Sequence, residues 1–137
     1  MQGYRIFEHT ADVGVKAYGT DLKQAYANAA KGLFSLITDL RSIRTKTSRD
    51  IEVTAADRET LLVAWLNELN YLFDVDHIAL KKFEITLLNN TRLRARVYGE
   101  KIDSTRHHIK IGVKATTYHM LRVTHNNGYQ VRVLFDI

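Results

Sequence analysis

Two segments of the chain repeat apolar residues at the spacing of an amphipathic helix. The first covers Leu22–Ile37, and Thr20 or Asp21 can cap its start. The second begins after Asp57, a good N-cap residue. Its apolar face consists of Leu61, Leu62, Trp65, Leu66, Leu69, Leu72 and Phe73. The pattern therefore predicts two helices.

The other apolar residues alternate with polar ones, as in half-buried strands. This alternation predicts strands at Tyr4–Glu8, Val13–Gly19, Ile51–Thr54, Phe83–Leu87, Leu93–Val97 and Tyr129–Ile137, and one more marked by Val113, Ala115, Leu121 and Val123. Asn89-Asn90 and Asn126-Asn127-Gly128 are turn signals that join neighbouring strands into hairpins. The order of elements predicts an α+β fold with mainly antiparallel sheets, formed as a single domain over residues 1–137.

Composition narrows the class of protein without naming a reaction. The chain is 45% hydrophobic, and no stretch approaches the roughly 18 apolar residues of a membrane span. Because it has no cysteine, disulfides and thiolate metal sites are excluded. Met1-Gln2-Gly3 leads directly into the first strand pattern, so we expect no signal peptide and a cytoplasmic location. The net charge of +5 favours an acidic partner or a phosphate backbone.

Four acidic groups stand at the ends of apolar elements: the side chains of Asp12, Asp39 and Asp136, and the α-carboxylate of Ile137. Asp39 follows the first helix, where the helix dipole disfavours a negative charge by roughly 0.3–1 kcal/mol. The last two groups are adjacent in sequence and repel each other unless a cation or water offsets their charge. Together the oxygens would suit Ca²⁺ or Mg²⁺. The alternative is that Asp12 caps a turn, Asp39 is solvated and Asp136 pairs with a nearby arginine.

Basic residues form two candidate patches. Arg92, Arg94 and Arg96 alternate along one predicted strand, which places their side chains on one face, roughly 6.6 Å apart. The segment 41–49 carries four cations and no acid. Either patch could contact phosphates or an acidic protein face. The alternatives are a solvated sheet face and a strand edge protected by charge, since the aromatic residues needed for base stacking are missing.

The histidines do not form a catalytic pattern. No H-x-x-x-H spacing and no Ser/Asp partners are visible, so a nucleophilic triad has no support. His119 shares the alternation of the apolar residues around it, which predicts a core histidine bonded through Thr117 or a backbone carbonyl. His107-His108 lies in a polar connector and could approach a partner.

Several blocks, in order along the whole chain, resemble the signatures of the archease family. They are Phe7–Gly19, Leu61–Leu69, Gly99-Glu100 with His107, Val113–His119 and Phe135–Ile137. The resemblance implies a non-catalytic activator of the RtcB-type tRNA-splicing ligase, which joins RNA 2′,3′-cyclic-phosphate or 3′-phosphate ends to 5′-hydroxyl ends. Archeases promote guanylylation of the ligase histidine and its multiple turnover. They have also been proposed to act as chaperone-like adaptors of RNA- or DNA-modifying enzymes.

The resemblance also implies a site and a fold. Family members carry a metal site, typically with Ca²⁺, and Mg²⁺ or Mn²⁺ are alternatives. The matching positions are Asp12, Asp136 and Ile137, and Asp39 matches a nearby acidic position. The family fold contains a strand-helix-strand-strand module. Independently of the resemblance, the basic stripe and the connector histidine give Arg92, Arg94, Arg96 and His107 as candidate partner-binding residues. A stand-alone RNA-binding domain that uses the arginine stripe is a further alternative.

Overall fold

The computed structural model describes residues 3–137. Its elements are β1 (Tyr4–His9), β2 (Asp12–Gly19), α1 (Leu22–Ile37), a single 3₁₀ turn (Leu40–Ser42), β3 (Thr47–Thr54), α2 (Arg58–Asp76), β4 (Ile78–Leu88), β5 (Arg92–Lys101), β6 (Ala115–His125) and β7 (Tyr129–Asp136). This order confirms the predicted α+β class with two helices.

Two antiparallel sheets enclose the helices. The larger sheet has the strand order β1-β2-β7-β6 and the smaller one β3-β5-β4. α1 contacts β2 of the larger sheet and β4 of the smaller one, while α2 contacts β6 and β3. Trp65, Tyr26 and Phe34 are completely buried between the layers. The indole Nε1 of Trp65 donates a hydrogen bond to the Tyr26 carbonyl oxygen at 3.1 Å, so the two helices are also joined by a polar contact.

Both helices begin where the sequence predicts. The Asp21 carboxylate accepts a hydrogen bond from the Gln24 N–H at 2.8 Å. The Asp57 carboxylate accepts from the Thr60 N–H at 2.8 Å, and the Thr60 hydroxyl accepts from the Asp57 N–H, which completes a capping box. No helix among residues 3–137 is long and apolar enough to cross a membrane.

Two strands begin four or five residues before the apolar pattern predicts, and β5 ends four residues after it. β3 starts at Thr47 rather than Ile51. The pattern missed its first four residues because they are polar and exposed at a sheet edge. β4 starts at Ile78 rather than Phe83. The chain enters β4 directly from α2 through His77, which adopts a left-handed φ of 57°. Alternation fails to mark these residues because an edge strand can be polar on both faces and a strand end can be buried on both.

The predicted alternation of β6 does not continue through the strand. Its register against β7 shifts between Thr117 and Arg122, so the residues between them bulge out of the ladder. Within the bulge Met120 has a left-handed φ of 57°, and its carbonyl accepts a hydrogen bond from Arg132 Nε at 2.9 Å. His119 is exposed in this bulge. The prediction of a core histidine is therefore wrong, because it assumed an unbroken period of two.

Candidate metal centre

The ends of β2 and β7 bring Asp12 and Asp136 together. Their Cα atoms are directly opposite each other in the antiparallel ladder. Side chains of opposite residues project from the same face of a sheet, with Cβ atoms about 4.5–5.5 Å apart. Asp12 is half-buried and Asp136 is exposed. The strand register thus sets two of the predicted acidic groups side by side.

Neither carboxylate has a cation beside it. Among residues 3–137, no Lys, Arg or His nitrogen lies within 4.0 Å of an oxygen of Asp12 or Asp136. The arginine nearest in the ladder, Arg132, instead donates its Nε–H to the Met120 carbonyl. Like charges directly opposite one another destabilise a sheet. A bound cation would relieve this repulsion.

A cavity of about 370 Å³ opens at this end of the larger sheet. The turn between β1 and β2 forms its wall, and Ala11 in that turn has a left-handed φ of 67°. Asp12 and Ile137 both line the cavity. The last residue of the sequence therefore lies beside the acidic strand pair.

Two histidines that sequence reasoning did not assign to the site lie at its edge. His9 is the ladder partner of Asp12, and its ring centroid is 5.4 Å from that of His119. The Nδ1 of His9 is buried and has no hydrogen-bond partner within the described chain. His9 could have been found from the sequence, because only two residues separate it from Asp12 and such a short connection predicts a tight hairpin. His119 could not, because its position depends on the bulge in β6.

Asp39 lies with Arg41 and does not line the cavity. Its carboxylate accepts hydrogen bonds from the Arg41 N–H at 3.0 Å and from the guanidinium Nη2 at 3.0 Å. These hydrogen bonds hold the pKa of Asp39 below its usual value. α1 ends at Ile37, so Asp39 caps the following 3₁₀ turn rather than opposing the helix dipole. The Arg41 side chain is 91% exposed, and such a surface ion pair is easily exchanged.

The donor chemistry fits a hard cation. The carboxylates of Asp12, Asp136 and Ile137 offer only oxygen, as Ca²⁺ and Mg²⁺ prefer. Side chains alone do not complete a cage, because no three His, Asp or Glu residues within 3–137 cluster closely enough to hold an ion. Main-chain oxygens beside the cavity and water would fill the remaining positions.

The arginine stripe on β5 is paired with acidic residues of its neighbour β3. Glu52 lies 3.7 Å from Arg92 Nε and also pairs with Arg94. Asp50 pairs with Arg96 at 2.9 Å. These five side chains alternate in sign across the exposed face of the smaller sheet. The arginines of the stripe are therefore paired with acids and do not form a row of unpaired cations.

The structure buries His107, so its side chain is not exposed for the predicted contact with a partner. Its side chain is completely buried. The Nδ1 accepts a hydrogen bond from the Asp103 N–H at 2.9 Å, so the ring proton is on Nε2. That Nε2–H points to Glu100 Oε2 at 3.1 Å and to the Ser42 carbonyl at 3.2 Å. His107 is a structural residue.

Glu100 is the centre of this buried network. Burial raises the pKa of its carboxyl, but hydrogen bonds from the Arg106 guanidinium, the Arg44 N–H and His107 outweigh this and hold the pKa at about 2. The Arg44 N–H lies 2.6 Å from Glu100 Oε2. The network ties two connectors to the smaller sheet, residues 38–46 before β3 and residues 101–114 around the end of β5.

Comparison with known proteins identifies the family. A family model described as the Archease protein family (MTH1598/TM1083) matches residues 4–137. The chain belongs to the archease family. The resemblance of its sequence blocks to archeases is thereby confirmed over residues 4–137.

Relatives in two archaea match over most of their length. Protein archease of Sulfolobus acidocaldarius is 37% identical over 139 residues, which cover 100% of both chains. Protein archease of Pyrococcus furiosus is 38% identical over 126 residues, which cover 90% of this chain and 89% of the relative.

Two solved structures share the fold. The solution structure of Methanobacterium thermoautotrophicum protein 1598 is 34% identical, with a TM-score of 0.87 and complete coverage of both chains. The crystal structure of a Thermotoga maritima archease, described there as a possible chaperone, has a TM-score of 0.61. It is 19% identical and covers 97% of this chain and 96% of its own, so it supports the fold alone.

Proposed function

We propose that this archease-family chain activates an RtcB-type tRNA-splicing ligase in the cytoplasm by promoting guanylylation of the ligase, without being an enzyme itself. A divalent cation, Ca²⁺ in the first place and Mg²⁺ or Mn²⁺ as alternatives, is held by Asp12, Asp136 and the Ile137 carboxylate. The observation that supports the cation site is the strand register, which sets Asp12 opposite Asp136 with no Lys, Arg or His of residues 3–137 within 4.0 Å of either carboxylate.

The residues of the site have separate tasks in this proposal. The β2–β7 ladder fixes the Asp12 and Asp136 carboxylates on rigid strands, so the donor positions are set before any partner binds. Asp39 can join only by releasing Arg41, which its exposed ion pair permits. A bound divalent ion supplies positive charge against nucleotide phosphate oxygens. The cavity beside Ile137 gives such a group access to the carboxylates.

Ligase guanylylation tests the function directly. Purified ligase is labelled with radioactive GTP, with and without this protein, at controlled Ca²⁺ and Mg²⁺. We expect Asp12→Asn and Asp136→Asn to reduce the stimulation at least about tenfold, because each removes a carboxylate from the site. Asp50→Asn, which removes an equal charge from the smaller sheet, should leave stimulation unchanged. Undiminished stimulation by both site variants, folded by circular dichroism, would refute the mechanism.

The amount of protein required separates activation from a chaperone-like adaptor role. An activator that gives multiple turnover works below one equivalent of the ligase, because it is released after each guanylylation. An adaptor that keeps a partner soluble is needed in stoichiometric amounts. Stimulation that saturates only at one equivalent would favour the adaptor.

Cation binding can be measured on the isolated protein by thermal unfolding. In chelator, we expect Asp136→Asn to be more stable than wild type by about 0.2–1 kcal/mol, because it removes a like charge opposite Asp12. Excess Ca²⁺ should stabilise wild type, by about 2.7 kcal/mol at a hundred times the dissociation constant. The variant should respond much less. An equal Ca²⁺ response from both proteins would place the cation elsewhere.

A further inference from the structure

Five basic side chains near the two connectors have no acidic partner. They are Arg44, Lys46, Lys101, Lys110 and Lys114, and all are exposed. Within residues 3–137, no carboxylate oxygen lies within 4.0 Å of any of them. This contrasts with the arginine stripe of β5, in which every member is paired.

The connectors also hold the charge imbalance of the chain. Residues 38–46 and 101–114 contain seven Lys and Arg against two Asp, a balance of +5, which equals the formal net charge of the whole chain. One of the two acids, Asp39, pairs with Arg41. The other, Asp103, accepts hydrogen bonds from Thr105 within its own turn. The rest of the chain has equal numbers of basic and acidic residues, so the net positive charge of the chain comes from these connectors.

Hydrogen bonds hold the two connectors side by side. Arg106 Nη1 donates to the Ser42 carbonyl at 2.8 Å, and the Thr38 hydroxyl donates to the His108 carbonyl at 2.7 Å. The Lys110 N–H continues this contact to the Ile37 carbonyl at 2.7 Å. The five cations therefore lie on two connectors that are hydrogen-bonded to each other, and these connectors together are called the connector surface.

We propose that this connector surface binds the phosphate backbone of single-stranded nucleic acid without reading its sequence. A polyanion needs only accessible cations for affinity, which is what the surface offers. Tight protein partners need buried apolar or aromatic anchors. Within residues 3–137, Ile109 is the one large apolar side chain of the connectors that is exposed. The connectors contain no Phe, Tyr or Trp on which bases could stack, so they make contact through phosphates.

The surface ends at the candidate metal centre. The Lys114 N–H donates to the Asp136 carbonyl at 2.8 Å, so this end of the connector adjoins the acidic strand pair. A nucleic-acid strand bound along the connectors would thus place phosphates near Asp12 and Asp136. The binding itself does not depend on the proposed ligase activation and can be measured without a ligase.

Fluorescence anisotropy of the full chain in chelator provides the test. The probes are labelled oligouridylate and oligothymidylate of about 12 nucleotides, titrated over a range of salt. We expect both to bind, with an affinity that falls steeply with salt. The triple variant Lys46→Gln/Lys101→Gln/Lys110→Gln should bind at least about tenfold more weakly at about 0.1 M salt. Its log–log salt slope should be shallower by about 2, from about 0.7 per lost phosphate contact.

The matched control removes three charges from the arginine stripe, whose members are paired with acids, as Arg92→Gln/Arg94→Gln/Arg96→Gln. This variant should keep the wild-type salt slope, and both triple variants are checked for folding by thermal unfolding. The proposal would be overturned if wild type showed no salt-dependent binding. It would also be overturned if the control variant lost as much oligonucleotide affinity as the connector variant. Displacement of the oligonucleotide by polyglutamate at equal charge concentration would also overturn it, in favour of an acidic protein partner.

Discussion

Gly99→Ala should lower the free energy of unfolding by at least about 3 kcal/mol. A Cβ added at Gly99 would lie 1.8 Å from the Ala79 carbonyl oxygen and 2.8 Å from the Leu80 Cα. Both are backbone atoms of β4, so no side-chain rotation can relieve the clash. The β4–β5 ladder would have to separate next to its bulge between Leu80 and Lys82. Urea unfolding followed by far-UV circular dichroism gives the change.

Gly14→Ala is the matched control for this prediction. The added Cβ would lie 2.1 Å from Phe7 Cζ, which is the end of a half-buried side chain. Because the Phe7 ring can move away and the backbone cannot, we expect a clearly smaller loss of stability at Gly14. Equal losses at the two glycines, or a neutral Gly99→Ala, would show that the close strand approach at β5 is not what requires glycine.

Glu100→Gln should cost about 3 kcal/mol of stability at neutral pH. The carboxyl has a pKa of about 2 in the folded protein, against 4.5 as its ordinary value. At 1.36 kcal/mol per unit of pKa, the difference between these two pKa values corresponds to about 3 kcal/mol. The side chain is only 5% exposed, so water screens these contacts little. Glutamine keeps the shape but loses the charge that Arg106 and the Arg44 N–H stabilise.

The pH dependence of this difference has a definite sign. The folded-state pKa of Glu100 is depressed, so its contribution is fully present above about pH 4.5 and is lost as the pH falls toward 2. The unfolding curves of wild type and Glu100→Gln should therefore converge in that interval. Glu52→Gln changes an exposed carboxylate that also pairs with an arginine, and should cost clearly less stability than Glu100→Gln. A difference that stays constant from pH 7 to 2 would contradict the assignment.

Local sequence signals predicted much of the fold. The caps at Asp21 and Asp57 are as expected, because N-cap chemistry depends on a few neighbouring residues. The hairpin at Asn126-Asn127-Gly128 is also confirmed. Asn127 and Gly128 both have positive φ there, at 58° and 117°, which these two residue types adopt most readily. Such features follow from short-range chemistry.

Features that depend on distant segments could not be predicted from pattern alone. The bulge of β6 reverses the exposure of His119, and nothing in the alternation marks it. Glu100 and His107 look like ordinary polar residues in sequence, yet both are buried. Glu100 is bonded by the Arg44 N–H and by Arg106, and His107 Nε2 faces Glu100. Family resemblance marked both residues without giving their role. It is the fold that makes them a structural network.

The two members of the carboxylate pair were predicted from the sequence, but their relative positions were not. Family resemblance named Asp12 and Asp136, and only the β2–β7 register places them opposite each other. The same resemblance included Asp39, whose partner in the structure is Arg41, two residues away. A local ion pair of this kind competes with any long-range site, and sequence alone does not show which one forms.

The position of β7 between β2 and β6 has a kinetic consequence. The β1–β2 and β6–β7 hairpins can form locally, but the β2–β7 ladder joins the two ends of the sequence. Such non-local pairing makes the transition state entropically costly and folding slow. The acidic pair comes into existence only when the two hairpins dock. A cation that recognises the docked state alone would act chiefly by slowing unfolding.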